Sequence, residues 1–384
     1  MRIVDVCAFY TPAGGGVRTY VERKLKAAPA AGHEMIILAP GRENRVEERG
    51  DSARIEWLES PRFPLDRRYG YFADAQQVHA ALDRLRPDVV EASSPWRSAS
   101  MVADWQGDAR RVLVMHADPL SAYAYRWFGR LAERETIDRG FGWFWRHLQR
   151  LDRGYDAVVS ASPSLSQRLT EGGLRNVVTN PMGVDPGIFD RGLRDTALRA
   201  RLLERCALPE DATLLVGVGR HAAEKRWTMV VDAAIAAGAT RPVGLLLIGE
   251  GRDSAKLARA IGDNPHIHLL SPIRDRTALA RIMASADALI HGCEAETFCI
   301  VAAEALASGL PLIAPDRGGA YDQARASGGV IYRSGSAADA ARAIRRFVDA
   351  PPSRPSSEAR TMDQHFAELF AFYRWLETPA VRAA

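Results

Sequence analysis

Short apolar runs alternate with longer stretches of helical periodicity along almost the whole chain, and this rhythm leaves few folds open. The first run, Ile3 to Tyr10, ends at Thr11-Pro-Ala-Gly14-Gly15-Gly16, and helical spacing follows from Val17 to Ala28. Strand, glycine loop and helix make an α/β opening. Further strands are expected at Met35–Ala39, Arg54–Leu58, Asp88–Ala92, Arg111–His116, Ala157–Ala161 and Val177–Asn180, with helix at Phe72–Leu85. Between Val184 and Arg205 the rhythm pauses, and it restarts at Thr213. Strands are then expected at Leu214–Val218, Val243–Ile248, Ile267–Leu270, Ala286–Ile290, Leu312–Ala314 and Gly329–Tyr332. Alternation of this kind implies mostly parallel sheets covered by helices. A length of 384 residues suits two doubly wound domains, with the boundary expected at 190/191. Pro351-Pro-Ser-Arg-Pro-Ser-Ser357 reads as a flexible link, and Met362–Trp375 as an aromatic-rich final helix.

Composition narrows the function classes. With 47% apolar and 26% charged residues the chain reads as a soluble globular protein. The net charge of +4 suits anionic small molecules or an acidic membrane face, and nothing in it requires nucleic acid. No apolar run approaches the ~20 residues of a membrane-spanning helix. Asp5 interrupts the first apolar stretch, so no secretory signal is expected. Cys7, Cys206, Cys293 and Cys299 lack the short paired spacing of a zinc or redox site, and a cytoplasmic home is expected.

Three stretches carry candidate chemistry. In His291-Gly-Cys-Glu-Ala-Glu-Thr-Phe-Cys-Ile-Val-Ala-Ala-Glu304, a strand stops at acids and a helix begins within a few residues. If that helix starts near Phe298, Glu296 lies at its mouth and Glu304 lies about two turns in. N–H groups of Thr297, Phe298 and Cys299 would then face anionic or hydroxyl-rich ligands. Glu296 could equally be an acid favoured by the helix dipole, with Glu304 solvated. In Val216-Gly-Val-Gly-Arg220-His-Ala-Ala-Glu-Lys225, Arg220 offers a fork of donors and Lys225 a point charge, both suited to diphosphate oxygens. Either could instead be a surface cation paired with Glu224. Gly217, Gly219 and Ala222 also satisfy a loose dinucleotide fingerprint, which keeps an NAD-dependent oxidoreductase open. His116 closes a buried strand, as a ligand contact or a structural hydrogen-bonding residue.

The acidic stretch, with Phe298, Glu304-Ala305 and Ala307-Ser-Gly-Leu-Pro311, resembles the signature of retaining glycosyltransferases of the GT-B fold, specifically glycosyltransferase family 4. The resemblance implies two Rossmann-like domains facing across a cleft. It makes 1–190 the acceptor-side domain, 191–355 the nucleotide-sugar domain, and 356–384 a helix returning to the first. It implies transfer of a hexose from a UDP- or GDP-sugar to a lipid-linked or glycan acceptor with retention. A sugar-nucleotide epimerase, which shares the architecture, is the alternative. By the same resemblance, Gly15 and Gly16 lie near the donor diphosphate, Arg220 and Lys225 clamp it, and His116 contacts the donor sugar. The loop at Ile273 reads the base. Glu296 and the N–H groups of Phe298, Cys299 and Ile300 hold the hexose, and Glu304 the ribose. His116, Arg220, Lys225 and Glu296 are the expected catalytic residues, with no metal and no cofactor beyond the donor substrate. Two departures stand out: Arg226 and Cys299 occupy positions where the family commonly has Gly.

From Tyr123 to Arg153 seven Arg stand against four acids, interleaved with three of the eight Trp. That mixture suits an anionic membrane surface or a lipid-linked acceptor, or else a helix pair with its Arg toward solvent.

Overall fold

The structure, a computed structural model, describes residues 1–12, 16–64, 69–118, 120–124, 134–355 and 359–378. Gly14, Gly15 and the central part of the aromatic and Arg-rich stretch lie outside the described residues. The chain divides into two compact units. One takes in Met1–Asp118, residues 134–181 and the final helix from Asp363, and the other takes in Met182–Met362.

In the first unit the strands are β1 (Arg2–Val6), β2 (Glu34–Gly41), β3 (Arg45–Glu48), β4 (Ala53–Glu59), β5 (Val89–Ser93), β6 (Arg110–Met115), β7 (Ala157–Ser160) and β8 (Val177–Thr179). They form a sheet ordered β3-β4-β2-β1-β5-β6-β7-β8, parallel except at the β3–β4 edge. Strand β3 was not expected from the sequence. Its Arg45-Val-Glu-Glu is mostly exposed and charged, which suits a sheet edge and leaves no apolar signature. The sheet reverses direction around β1, and ligands of open α/β sheets gather beyond the carboxyl ends of strands at such a point. The helix Met362–Leu376 completes this unit. Phe366, Phe370 and Tyr373 are buried, and Phe366 lies 5.3 Å from the ring of Tyr20 on the first helix, Gly16–Ala30.

The second unit holds β9 (Thr213–Val218), β10 (Val243–Ile248), β11 (Ile267–Leu270), β12 (Ala288–Ile290), β13 (Leu312–Pro315) and β14 (Val330–Tyr332), all parallel in the order β11-β10-β9-β12-β13-β14. Alternate residues serve opposite faces. Leu214, Val216, Leu246 and Ile248 enter one core, while Leu215, Leu245 and Leu247 enter the other. Burial on both faces is why these strands read as continuous apolar runs.

The expected boundary at 190/191 shifts to Pro181/Met182. The Val184 N–H donates to the Arg360 carbonyl at 2.9 Å, and the Met362 N–H donates back to Val184, which binds this segment into the second unit. The described part of the expected flexible link is also tied down. Arg354 donates to the carbonyl of Ala286 at 2.9 Å and sits 3.7 Å from Asp287.

Candidate active site

Strand β9 lies between β10 and β12, so the loops leaving β9 and β12 emerge side by side at the carboxyl edge of the second sheet. The first loop carries Arg220 to Lys225 and leads to the helix Trp227–Gly238, and the second carries His291 to Cys299 and leads to the helix Ile300–Ala307. Gly292 permits their close approach, since a Cβ there would stand 2.5 Å from the Lys225 carbonyl oxygen.

At the junction the Lys225 ammonium bonds directly to the Glu296 carboxylate. His291 Nε2 lies 3.7 Å from the same carboxylate oxygen, and Cys299 Sγ lies 3.7 Å from that ring nitrogen. Burial works against the Lys225 charge, and the Glu296 carboxylate more than offsets it, so the ammonium is held above its ordinary pKa. Burial likewise opposes ionisation of Glu296, and Lys225 overrides it, so this carboxyl sits below its usual range. His291 is pushed down to about 4 by burial and then by Lys225, with Glu296 opposing, and it is neutral at pH 7. His291, Glu296 and Cys299 bring one potential metal-ligand atom each within 4.8 Å of one another, yet the cation bonded to Glu296 here is the Lys225 ammonium.

The helix opens at Ile300, two residues later than expected, with Cys299 as its left-handed cap at φ 69°. The N–H groups of its first turn therefore begin with Ile300 and Val301, which corrects the expected set of Thr297, Phe298 and Cys299. Phe298 and Cys299 instead face the next helix through their carbonyls, which both accept from Gln323, with Cys299 at 3.1 Å. The Gly319 N–H donates to the Glu296 carbonyl at 2.7 Å, and a Cβ on Gly319 would overlap the Phe298 backbone. Gly319 and Gln323 thus brace the acidic loop, and the paired glycines after β13 were the sequence signal for it.

Glu304 sits on the second turn of its helix, 4% exposed, and Arg276 donates to its Oε1 at 2.6 Å. Arg276 also lies 3.4 Å from Asp185 and over the ring of Phe189. Sequence reading missed Arg276, because nothing in its local spacing ties it to Glu304. Arg220 points outward, largely exposed, with Nη2 3.1 Å from Glu224, while its carbonyl accepts from Trp227. Ile273 lies half-buried in the loop after β11, packed against the core.

His116 belongs to the first unit, just past β6. Its Nε2 is 3.3 Å from Ser93 Oγ, and its ring meets Tyr20 edge-on at 4.9 Å. Burial pushes its pKa down to about 4. Gly16 opens the first helix, and a Cβ added to it would meet no atom of the described residues within 4 Å, which leaves room there for a ligand to approach the backbone.

Residues 200–362 match the family described as Glycosyl transferases group 1, and residues 14–187 match Glycosyltransferase Family 4. A GDP-mannose-dependent alpha-(1-6)-phosphatidylinositol dimannoside mannosyltransferase of Mycobacterium tuberculosis is 31% identical over 97% of this chain and 93% of its own length. The chain belongs to the family 4 glycosyltransferases. A GDP-mannose-dependent alpha-mannosyltransferase of the same species is 30% identical over 84% of this chain and 81% of its own length. Sucrose-phosphate synthase from Thermosynechococcus elongatus shares the fold, with a TM-score of 0.68 at 20% identity over 100% of this chain and 96% of that one. The fold is GT-B, with two Rossmann-like parallel-sheet domains, and the enzyme is a hexosyltransferase drawing on a nucleotide sugar.

Proposed function

We propose that this enzyme transfers mannose from GDP-mannose to a lipid-linked mannoside, with retention of the anomeric configuration. The single observation that carries the site assignment is the Lys225–Glu296 pair at the opening of the helix Ile300–Ala307. The names of the relatives support the donor, and the phosphatidylinositol dimannoside enzyme supports the acceptor class.

Transfer requires charge to build on a departing diphosphate while the sugar becomes oxocarbenium-like. An ammonium has three donors, so Lys225 can keep Glu296 and still reach a phosphate oxygen. Arg220, exposed beside it, adds a second cation. Positioned charge of this kind lowers the barrier because it needs no reorganisation during reaction. Glu296, ionised, accepts from hexose hydroxyls, and the N–H groups at the opening of the helix, beginning with Ile300, donate to the sugar's oxygens. Glu304, oriented by Arg276, accepts from ribose hydroxyls, and Ile273 lies toward the base. Gly15 and Gly16 are assigned to the donor diphosphate and His116 to the donor sugar. In this reading the chemistry needs neither a metal nor a cofactor besides the donor.

The acceptor class has its own support in the helix Gly142–Gly154. Trp143, Arg146, Arg150 and Arg153 are exposed at spacings of three, four and three, which line up on one helix face. A basic face tipped by Trp suits an anionic bilayer, and peripheral association with the cytoplasmic face is part of the proposal. Among the described residues no helix is long and apolar enough to cross a membrane.

Incubating the enzyme with GDP-, UDP- and ADP-hexoses and lipid-linked mannosides tests donor and acceptor together, and the product's anomeric signal by NMR tests retention. GDP-mannose is expected to raise the melting temperature and to give an α-linked product. Turnover with another donor alone, an inverted product, or conversion of the donor with no acceptor would overturn the respective parts. In flotation with phosphatidylinositol-rich vesicles, binding is expected for the native enzyme and its loss for Arg146→Glu/Arg150→Glu.

A further inference from the structure

The Cys299 thiol has no part in the transfer chemistry, although it sits beside the Lys225–Glu296 bond. The left-handed cap at φ 69° places it there, at a position where glycine is the ordinary residue and would present no side chain. Its Sγ lies 3.7 Å from His291 Nε2, and the same nitrogen lies 3.7 Å from Glu296 Oε1. All three ligand atoms fall within 4.8 Å of one another. Thiolate, imidazole and carboxylate are the side-chain ligands of zinc, at bond lengths that put tetrahedral neighbours about 3.3–3.6 Å apart. Two edges of the triangle are thus close to that spacing already, and the third closes when the Glu296 carboxylate turns. His291, Glu296 and Cys299 all stand on the one loop between β12 and its helix, so the fold keeps them together. Glu296 keeps 24% of its side chain exposed, which gives an ion a way in.

Two features of the same loops oppose an ion. The Lys225 ammonium already holds Glu296, and a second cation brought to that carboxylate repels the first. A metal on His291 Nε2 also puts the ring proton on Nδ1, which is buried with no hydrogen-bond partner among the described residues. Metal-binding histidines ordinarily give that proton to an acceptor. Stranding it weakens binding by roughly one to two powers of ten. The site is therefore weaker than a structural zinc site and reversible.

We infer that His291, Glu296 and Cys299 form an inhibitory site for a thiophilic divalent cation such as Zn²⁺, and that this ion and the Lys225 ammonium compete for the Glu296 carboxylate. On binding, the thiol proton passes to water, while sulfur, nitrogen and oxygen each give an electron pair to the ion. Lys225 moves off Glu296 with its charge intact. The ion stops transfer because it takes the acid assigned to the hexose and unseats the cation assigned to the diphosphate. That consequence rests on the glycosyltransferase reading, while the binding itself does not.

Cobalt(II) titration of the full-length enzyme, without substrate, reads the site directly, because a thiolate–cobalt bond absorbs in the near ultraviolet. A stoichiometric band is expected, and added zinc should bleach it. Cys299→Gly should abolish the band, whereas Cys293→Ser, which alters the other free thiol of the loop, should keep it. Lys225→Ala removes the competitor and should bind cobalt about tenfold more tightly than the native enzyme. In transfer assays zinc should inhibit the native enzyme, and the inhibition constant should rise about tenfold or more in Cys299→Gly, measured against that variant's own metal-free rate. Should Cys299→Gly fail to fold, Cys299→Ala takes its place. A missing band, a band that survives the loss of the Cys299 sulfur, or an unchanged affinity in Lys225→Ala overturns the inference. A cobalt site that depends on Cys299 in an enzyme inert toward every sugar nucleotide would retire the transfer reading and leave the metal site standing.

Discussion

Each unit contains a lysine bonded to carboxylates beside a low-pKa histidine, and the two clusters differ in their access to water. Lys24, Asp5 and Glu91 have no exposed side-chain surface, whereas Lys225 and Glu296 keep 16% and 24%. In the sealed cluster all the lysine's charge is committed to protein acids, so it orders a core. In the open one, part of the cation remains available to an incoming anion. Residue type alone does not separate a framework from a site. What separates them is whether the partner set is complete without a ligand.

The largest expected effect breaks the comparison at its sealed end. Lys24→Met leaves Asp5 and Glu91 buried without their cation, and removal of one partner from a buried ionic group costs about 3–5 kcal/mol. Urea denaturation should show the first unit unfolding early or failing to fold. Lys225→Ala should behave in the opposite way. Water can reach Glu296, so the loss of stability should be smaller than in Lys24→Met, while kcat falls by about 10²–10³ as the leaving-group charge is lost. Equal stability losses in the two variants would erase the distinction between framework and site.

Next in size is a pH effect read at the open cluster. Above about pH 7.5 His291 is neutral in both folded and unfolded chains, so it contributes no pH dependence there. As pH falls, the unfolded chain takes up a proton that the folded one, with His291 down at about 4, refuses. Stability should therefore drop between pH 6.5 and 4, by on the order of 3 kcal/mol. His291→Gln should flatten that part of the profile in urea titrations. An unchanged slope would mean that His291 is not held neutral. A smaller effect is expected from Arg276→Ala, which frees the Glu304 carboxylate from its orienting cation: donor KM should rise about tenfold, roughly the value of a hydrogen bond to a charged group.

Most of the architecture was legible in the sequence because both sheets are buried on two faces and announce themselves as apolar runs. Strand β3 escaped because an exposed edge needs no such run. The site divided differently. Lys225 and Glu296 were legible through their motifs, and the structure joins them in one bond. The Arg276–Glu304 contact was not legible, since the two residues meet only after β11 and β12 have been placed in the sheet. The start of the acidic helix was misplaced by two residues because Thr297 and Phe298 fit a first turn as well as they fit the loop.

The smallest expected effect concerns the remaining cation at the open cluster, and it turns a sequence anomaly into a measurement. Arg226 and Cys299, the two departures from the family's glycine pattern, both have left-handed backbone, at φ 52° and 69°. Glycine is the ordinary solution for that conformation, and another residue there carries a cost of about 1 kcal/mol. At Arg226 the cost is offset by the guanidinium, which donates to Glu294 at 2.7 Å beside a carboxylate that is 8% exposed. Arg226→Ala loses the ion pair and keeps the strain, whereas Arg226→Gly loses the ion pair and releases the strain. Glycine should therefore be the more stable of the two variants by about 1 kcal/mol, the reverse of their order inside a helix. If alanine melts at or above glycine, the residue is not left-handed in solution. In that case the loop that carries Lys225 to Glu296 is built on a different turn.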